Sequence, residues 1–173
     1  MRLSIVGCPD KQRFRPYVKR AVLFYAQELI DPKKLEEIYI RVKFDKKLNA
    51  HGYASIMEFN SVRNPKQRLK AREFEIEIHP GIGGYDILKT LAHEMVHVKQ
   101  YIYGETNEKL SRWKGQRVDA DSIDYWVQPW EIEAHGMEPG LFTKFAIKEK
   151  LWEVFKGVSN PDAPIEIEPI GWK

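Results

Sequence analysis

The sequence predicts an α+β fold: a small, mostly antiparallel, twisted sheet packed on a helix that carries His93-Glu94-Met95-Val96-His97, with further helices around it. Three observations predict it. Three short stretches alternate apolar and polar residues with a period of two. After them Leu88, Leu91, Ala92, Met95, Val96 and Tyr103 recur at helical spacing, between the breakers Gly81, Gly83, Gly84 and Gly104. Further on the pattern is helical again, with Pro129 suited to a first turn.

Residues 17–30 read as a helix with Val18, Val22, Phe24, Tyr25, Leu29 and Ile30 on its apolar face; Pro16 suits its start and Asp31-Pro32 ends it. Before it, Leu3-Ser4-Ile5-Val6 is a short strand or an arm, and Cys8 sits at a turn. The three strands fall at 38–44, 52–59 and 73–79; in the last, Phe74, Ile76 and Ile78 face in and Glu73, Glu75 and Glu77 face out. The basic loop 63–72 separates the second strand from the third. The HExxH helix covers 86–103, and Lys114-Gly115 centres a small hairpin beside Trp113. From Pro129 a second helix packs through Trp130, Ala134, Met137 and Leu141, interrupted at Gly136, Pro139 and Gly140. A further amphipathic run over 141–155 is capped by Gly157.

The 173 residues suit one domain over 1–157 and an extended tail over 158–173. A hydrophobic content of 43%, with five Trp, eight Tyr and eight Phe, supplies a core and excludes wholesale disorder. No apolar run approaches the ~20 residues of a membrane span, and the N-terminus lacks a signal-peptide core. One cysteine excludes an intramolecular disulfide and fits a reducing compartment. The expected location is therefore cytoplasmic, with no membrane partner. A net charge of +3, from 28 basic and 25 acidic residues, is too balanced to imply nucleic acid by itself.

The chemistry sits in the helix. Residues four apart lie about 40° round and about 6 Å along the axis, so His93 and His97 present their rings to one point. Glu94, beside them, is placed to take a proton from a water activated by a metal. A catalytic Zn²⁺ takes three protein ligands and keeps one position for water. The third ligand is expected on the second helix. Glu131 and His135 share a face there while Glu133 points the other way, which leaves Glu131 or His135, one as ligand and the other behind it. Charge on a tetrahedral oxygen needs a donor besides zinc, for which Tyr125, His135 and Arg112 are candidates. His51 and His79 have no motif partner and are read as non-ligands.

The HExxH motif followed by Trp130-Glu131-Ile132-Glu133-Ala134 resembles the gluzincin side of the zincin-like metallopeptidases, most closely the minigluzincins and related short catalytic domains. The resemblance spans residues 38–155 and implies a zinc metallopeptidase acting on peptide or protein substrates, with Glu94 as general base and His93, His97 and Glu131 as ligands. In those families an Asp four residues after the ligand Glu supports a ligand histidine; His135 stands there in this chain. His93 to Gln100 is also similar to SprT-like domains and to predicted phage-encoded metallopeptidases, in which a third His replaces the Glu. That second resemblance implies a nucleic-acid-associated protease as the alternative, with contacts through the basic segments 11–20 and 66–72. A non-catalytic, zinc-holding interaction protein is the other alternative; the intact Glu94 argues against it, since a structural site needs no base. The tail alternates at Ile165-Glu166-Ile167-Glu168, which suits a segment packed on the back of the domain and also one lying along a sheet edge over the cleft.

Overall fold

A computed structural model of the chain describes residues 1–57 and 72–155. Its elements in order are β1 (Arg2–Val6), α1 (Arg15–Leu29), the one-turn α2 (Pro32–Leu35), β2 (Tyr39–Phe44), β3 (Gly52–Ile56), β4 (Glu73–Ile78), α3 (Gly84–Tyr103), a hairpin of β5 (Arg112–Trp113) and β6 (Gln116–Arg117), and α4 (Pro129–Glu149). The fold is α+β, with a small mixed sheet and, among the described residues, four α-helices.

The sheet order is β1-β2-β4-β3. β1 and β4 both pair with β2 in parallel, and only β3 runs antiparallel, against β4. The expectation of a mostly antiparallel sheet is therefore corrected. A period of two reports which face of a strand is buried and is blind to strand direction. Direction follows from the connections. α1 and α2 lie between β1 and β2, a crossover of the length parallel neighbours need, and β4 enters between β2 and β3. The alternation itself holds: Ile40, Val42, Phe44, Phe74, Ile76 and Ile78 are buried. On the opposite face the register sets Arg41 beside Glu75 and Lys43 beside Glu77, and both pairs form ion pairs, the second at 2.7 Å. Such half-exposed pairs favour this register and add little stability.

α1 buries Val18, Ala21, Val22, Tyr25, Ala26 and Leu29. The Tyr25 hydroxyl donates to the Leu88 carbonyl at 3.1 Å, which ties α1 to the N-terminal part of α3. Arg20, from the basic N-terminal segment, pairs with Glu149 at 2.8 Å and lies 4.4 Å over the Tyr17 ring, so it belongs to the contact between α1 and the end of α4. Cys8 is buried, its thiol turned to the Asp10 carbonyl. α3 ends at Gly104, whose φ of 65° is left-handed; its N–H closes the last turn on the carbonyls of Gln100 and Tyr101.

α4 departs from expectation. It runs unbroken through Gly136, Pro139 and Gly140 for 21 residues, where the sequence suggested an interruption and a separate run over 141–155. A proline here forfeits its own bond to the His135 carbonyl and crowds that carbonyl with its ring, a cost of roughly 3 kcal/mol. Trp130, Ala134, Leu141, Phe145 and Ala146 are buried on both sides of it, and that continuous apolar face carries the helix across. Lys150, at φ 50°, ends it, and a 3-10 turn follows at Leu151–Glu153. The expected Gly157 cap, the tail 158–173, the end of the second strand and the basic loop up to residue 71 lie outside the described residues. No helix among the described residues is long and apolar enough to cross a membrane.

Phe145 is fully buried and meets Tyr25 edge-on at 5.5 Å, so it joins α4 to α1. Phe145→Ala is expected to destabilise the fold by roughly 3–5 kcal/mol in urea unfolding. A loss under about 1 kcal/mol would mean that this contact does not hold the helices together.

Candidate metal centre

α3 and α4 pack along much of their length, and the site lies where the second half of α3 meets the first turns of α4. Helical spacing puts His93 and His97 on one face, with Nε2 atoms 3.1 Å apart. Glu131, in the first turn of α4, brings Oε2 to 3.2 Å from His93 Nε2 and Oε1 to 3.5 Å from His97 Nε2. All three residues are buried or nearly so, and their ligand atoms lie within 4.8 Å of one another. Two imidazoles and a carboxylate converging at that range form a donor set suited to a divalent transition metal.

The electrostatics of the site favour a cation. Burial opposes charge on His93, but hydrogen bonds to Glu131 and Glu138 and the charge of Glu94 outweigh it and raise its pKa to about 9. His97 is raised as well: burial opposes charge, and Glu131 and Glu94 overcome it. Burial likewise opposes ionisation of Glu131, but both histidines and the Tyr125 hydroxyl hold it well below the usual carboxylate range. Glu94, 5% exposed, moves upward: its burial exceeds the pull of the two histidines and of the Ala54 N–H.

The histidines are held from behind. His93 Nδ1 is 3.1 Å from Glu138 Oε2, and Glu138 also takes Lys89 at 3.2 Å. Burial works against that carboxylate, yet His93 and Lys89 keep its pKa lowered, so it accepts from His93. His97 Nδ1 is 2.9 Å from Gln100 Oε1. Neither Glu138 nor Gln100 was singled out from the sequence. The signal was present: Glu138 is two helical turns past Glu131, and Gln100 is three residues past His97, both on the facing side. The position four residues past Glu131 does not support His93 in the expected manner. His135 instead sets its ring at a tilt against His93, centroids 4.5 Å apart, and its Nδ1 3.6 Å from Glu138. His93, His135 and Glu138 thus form a second cluster of possible ligands, which shares His93 with the first.

Tyr125, in a 3-10 turn at Tyr125–Val127, donates its hydroxyl to Glu131 at 2.8 Å and lies 3.4 Å from His135 Nε2. Burial and the bond to Glu131 raise its pKa, so it stays a protonated donor. The neighbouring Trp126 is 68% exposed and tilts over the His135 ring at 5.0 Å. A cleft of about 530 Å³ opens over Glu94 and His93, between this aromatic wall and the His51–Gly52 segment. Glu133 turns away from the centre toward Lys99 and Lys114. Arg112 is not brought to the cleft; it lies exposed on β5, and Trp113 anchors that hairpin against Trp130 at 6.4 Å. His79 accepts from the Gly81 N–H, and His51 lines the cleft without joining either cluster of possible ligands.

β3 forms the other wall. Met57 donates to Glu73 and His79 to His51, so by antiparallel alternation residues 51, 53, 55 and 57 bond β4. Gly52, Ala54 and Ile56 then direct their backbone groups away from β4, and the Ala54 N–H meets Glu94. This close approach requires the glycine: a Cβ on Gly52 would sit 2.5 Å from Thr90 Cγ2 and 2.8 Å from Glu94 Oε1.

No known protein family, curated protein or solved structure matches the chain.

Gly52→Ala is expected to destabilise the fold by about 1–3 kcal/mol, with part of the loss recovered by adding Thr90→Ala. Simply additive losses would show that the two residues are not in steric contact. A metal held by this cluster would have to displace a proton, because, against the opposing effect of burial, Glu131 and Glu138 raise the His93 pKa to about 9. Apparent zinc affinity is expected to rise from pH 6 to pH 8, by at most about tenfold per pH unit for each proton displaced. Calorimetry in buffers of different ionisation enthalpy should record that release near pH 7, and its absence would mean that His93 is neutral in the metal-free protein.

Proposed function

We propose that the protein is a zinc-dependent metallopeptidase of the zincin-like, gluzincin type. The observation that carries this reading is the convergence of His93 Nε2, His97 Nε2 and the Glu131 carboxylate beside Glu94; of these, His93 and Glu94 line the open cleft. His93, His97 and Glu131 would hold the metal. Bound there, Zn²⁺ supplies a Lewis acid that polarises the scissile carbonyl and acidifies water. Glu94 takes the proton from the attacking water and passes it to the leaving amine. Its pKa is shifted upward, chiefly by burial, which makes it a stronger base than a solvated carboxylate. Tyr125 donates its one hydroxyl hydrogen to Glu131, so it steadies that carboxylate here and would serve the oxygen on which charge develops only by giving up that bond. An extended peptide is the substrate that the outward backbone groups of β3 would accept, because such an edge recognises main chain.

The protein is expected to bind about one equivalent of zinc, with His93→Ala or His97→Ala emptying the site. Glu131→Ala should weaken the metal far more than His135→Ala; the reverse order would make His135 the third ligand. Glu94→Gln should keep metal and fold and lower hydrolysis of unfolded protein by roughly 10²–10⁴-fold. Wild-type turnover in that variant would sink the mechanism.

A further inference from the structure

Gln100 is fully buried, and every polar atom of its amide is engaged. Nε2 lies 2.9 Å from the Trp130 carbonyl and 3.0 Å from Glu133 Oε2. A backbone carbonyl can only accept. Glu133 is tied to Lys99 at 3.2 Å and Lys114 at 3.1 Å, so it too is an acceptor. The end of the amide that faces α4 must therefore be the NH₂ group, and the end 2.9 Å from His97 Nδ1 must be the oxygen. An oxygen there can only accept, so the hydrogen of a neutral His97 ring is on Nδ1 and the lone pair is on Nε2. Nε2 is the nitrogen that faces His93 and Glu131. The other tautomer would set two acceptors against each other in a buried place, leaving both without a hydrogen.

We propose that Gln100 is the positioning residue of the metal centre: it fixes the coordinating nitrogen of His97 and ties that ring to the helix turn carrying Glu131. This rests on the metal-centre reading above. One amide touches both halves of the ligand set, His97 on α3 and the carbonyl next to Glu131 on α4. Its second donor ends on Glu133, which Lys99 and the hairpin residue Lys114 hold in place. Glu138 serves His93 separately, so the two ligand rings are held by independent partners.

The test uses the full chain loaded with Zn²⁺, with nitrogen-15 NMR of the histidine rings and zinc affinity measured by chelator competition. Wild type should show His97 bound through Nε2, with a Nδ1 proton protected from exchange. Gln100→Glu keeps an acceptor opposite Nδ1 but sets its other oxygen against the Trp130 carbonyl and the Glu133 carboxylate, so it should keep the Nδ1 proton while losing the tie to α4, read as weaker zinc binding. Gln100→Met, similar in length and lacking hydrogen-bonding groups to match, should lose the protected proton and bind zinc roughly 10–100-fold more weakly. The His93 ring, held by Glu138, should keep its signals in every variant. A Gln100→Met protein with the wild-type His97 signature and affinity overturns the proposal. So does a wild-type His97 ring protonated on Nε2, which needs no variant to fold. Neither readout requires turnover: a protein with these ring states that hydrolyses nothing overturns the peptidase reading alone. If no zinc binds, the ring state of His97 in the metal-free protein at alkaline pH decides the proposal by itself.

Discussion

Three polar side chains, the buried His93 and Glu131 and the nearly buried His97, share one point between α3 and α4, and the surrounding structure has to keep that point assembled. Buried charge is costly unless it is paired and hydrogen-bonded. Here each member has a partner at its back: Glu138 for His93, Gln100 for His97, and Tyr125 for Glu131. Those partners come from α3, α4 and the turn before α4, so the site also fastens the elements that build it. No buried side-chain nitrogen or oxygen among the described residues lacks a hydrogen-bond partner.

The apolar structure sets where that point falls. Tyr25 and Phe145 join α1, α3 and α4 on the side away from the sheet edge. The inward faces of β2 and β4 complete the core. β3 then comes so close to α3 that only a glycine fits opposite Thr90 and Glu94. That approach buries Glu94 and gives it a backbone donor while leaving the cleft open above it. The burial of Glu94 and the placement of the strand edge are thus two consequences of one packing distance.

The same physics explains which parts were legible in the sequence. Facing is local, so the alternation of Phe74, Ile76 and Ile78 and the shared face of His93 and His97 could be read from spacing alone. Strand direction is not local; it depends on which strand a connection reaches, and the sheet is mixed where a mostly antiparallel one was expected. Pro139 shows a limit of another kind. Its propensity argues for a break, but buried residues on both sides of it keep α4 continuous. Gln100 and Glu138 stood at readable spacings, yet a Gln or a Glu on a helix is ordinarily a solvated residue. Only the facing helix makes them partners of the histidines.

The sequence by itself determined the helix that carries two histidines and a glutamate on adjacent positions, because a helical period is a property of neighbouring residues. It also narrowed the third position to Glu131 or His135, which share a face. The tertiary structure set their places: Glu131 lies against both histidines, while His135 is tilted against His93 and belongs with Glu138 to a second cluster of possible ligands. That difference depends on how α4 is rotated and docked against α3. Rotation is set by the summed packing of Trp130, Ala134, Leu141 and Phe145 with distant parts of the chain, which no local pattern encodes.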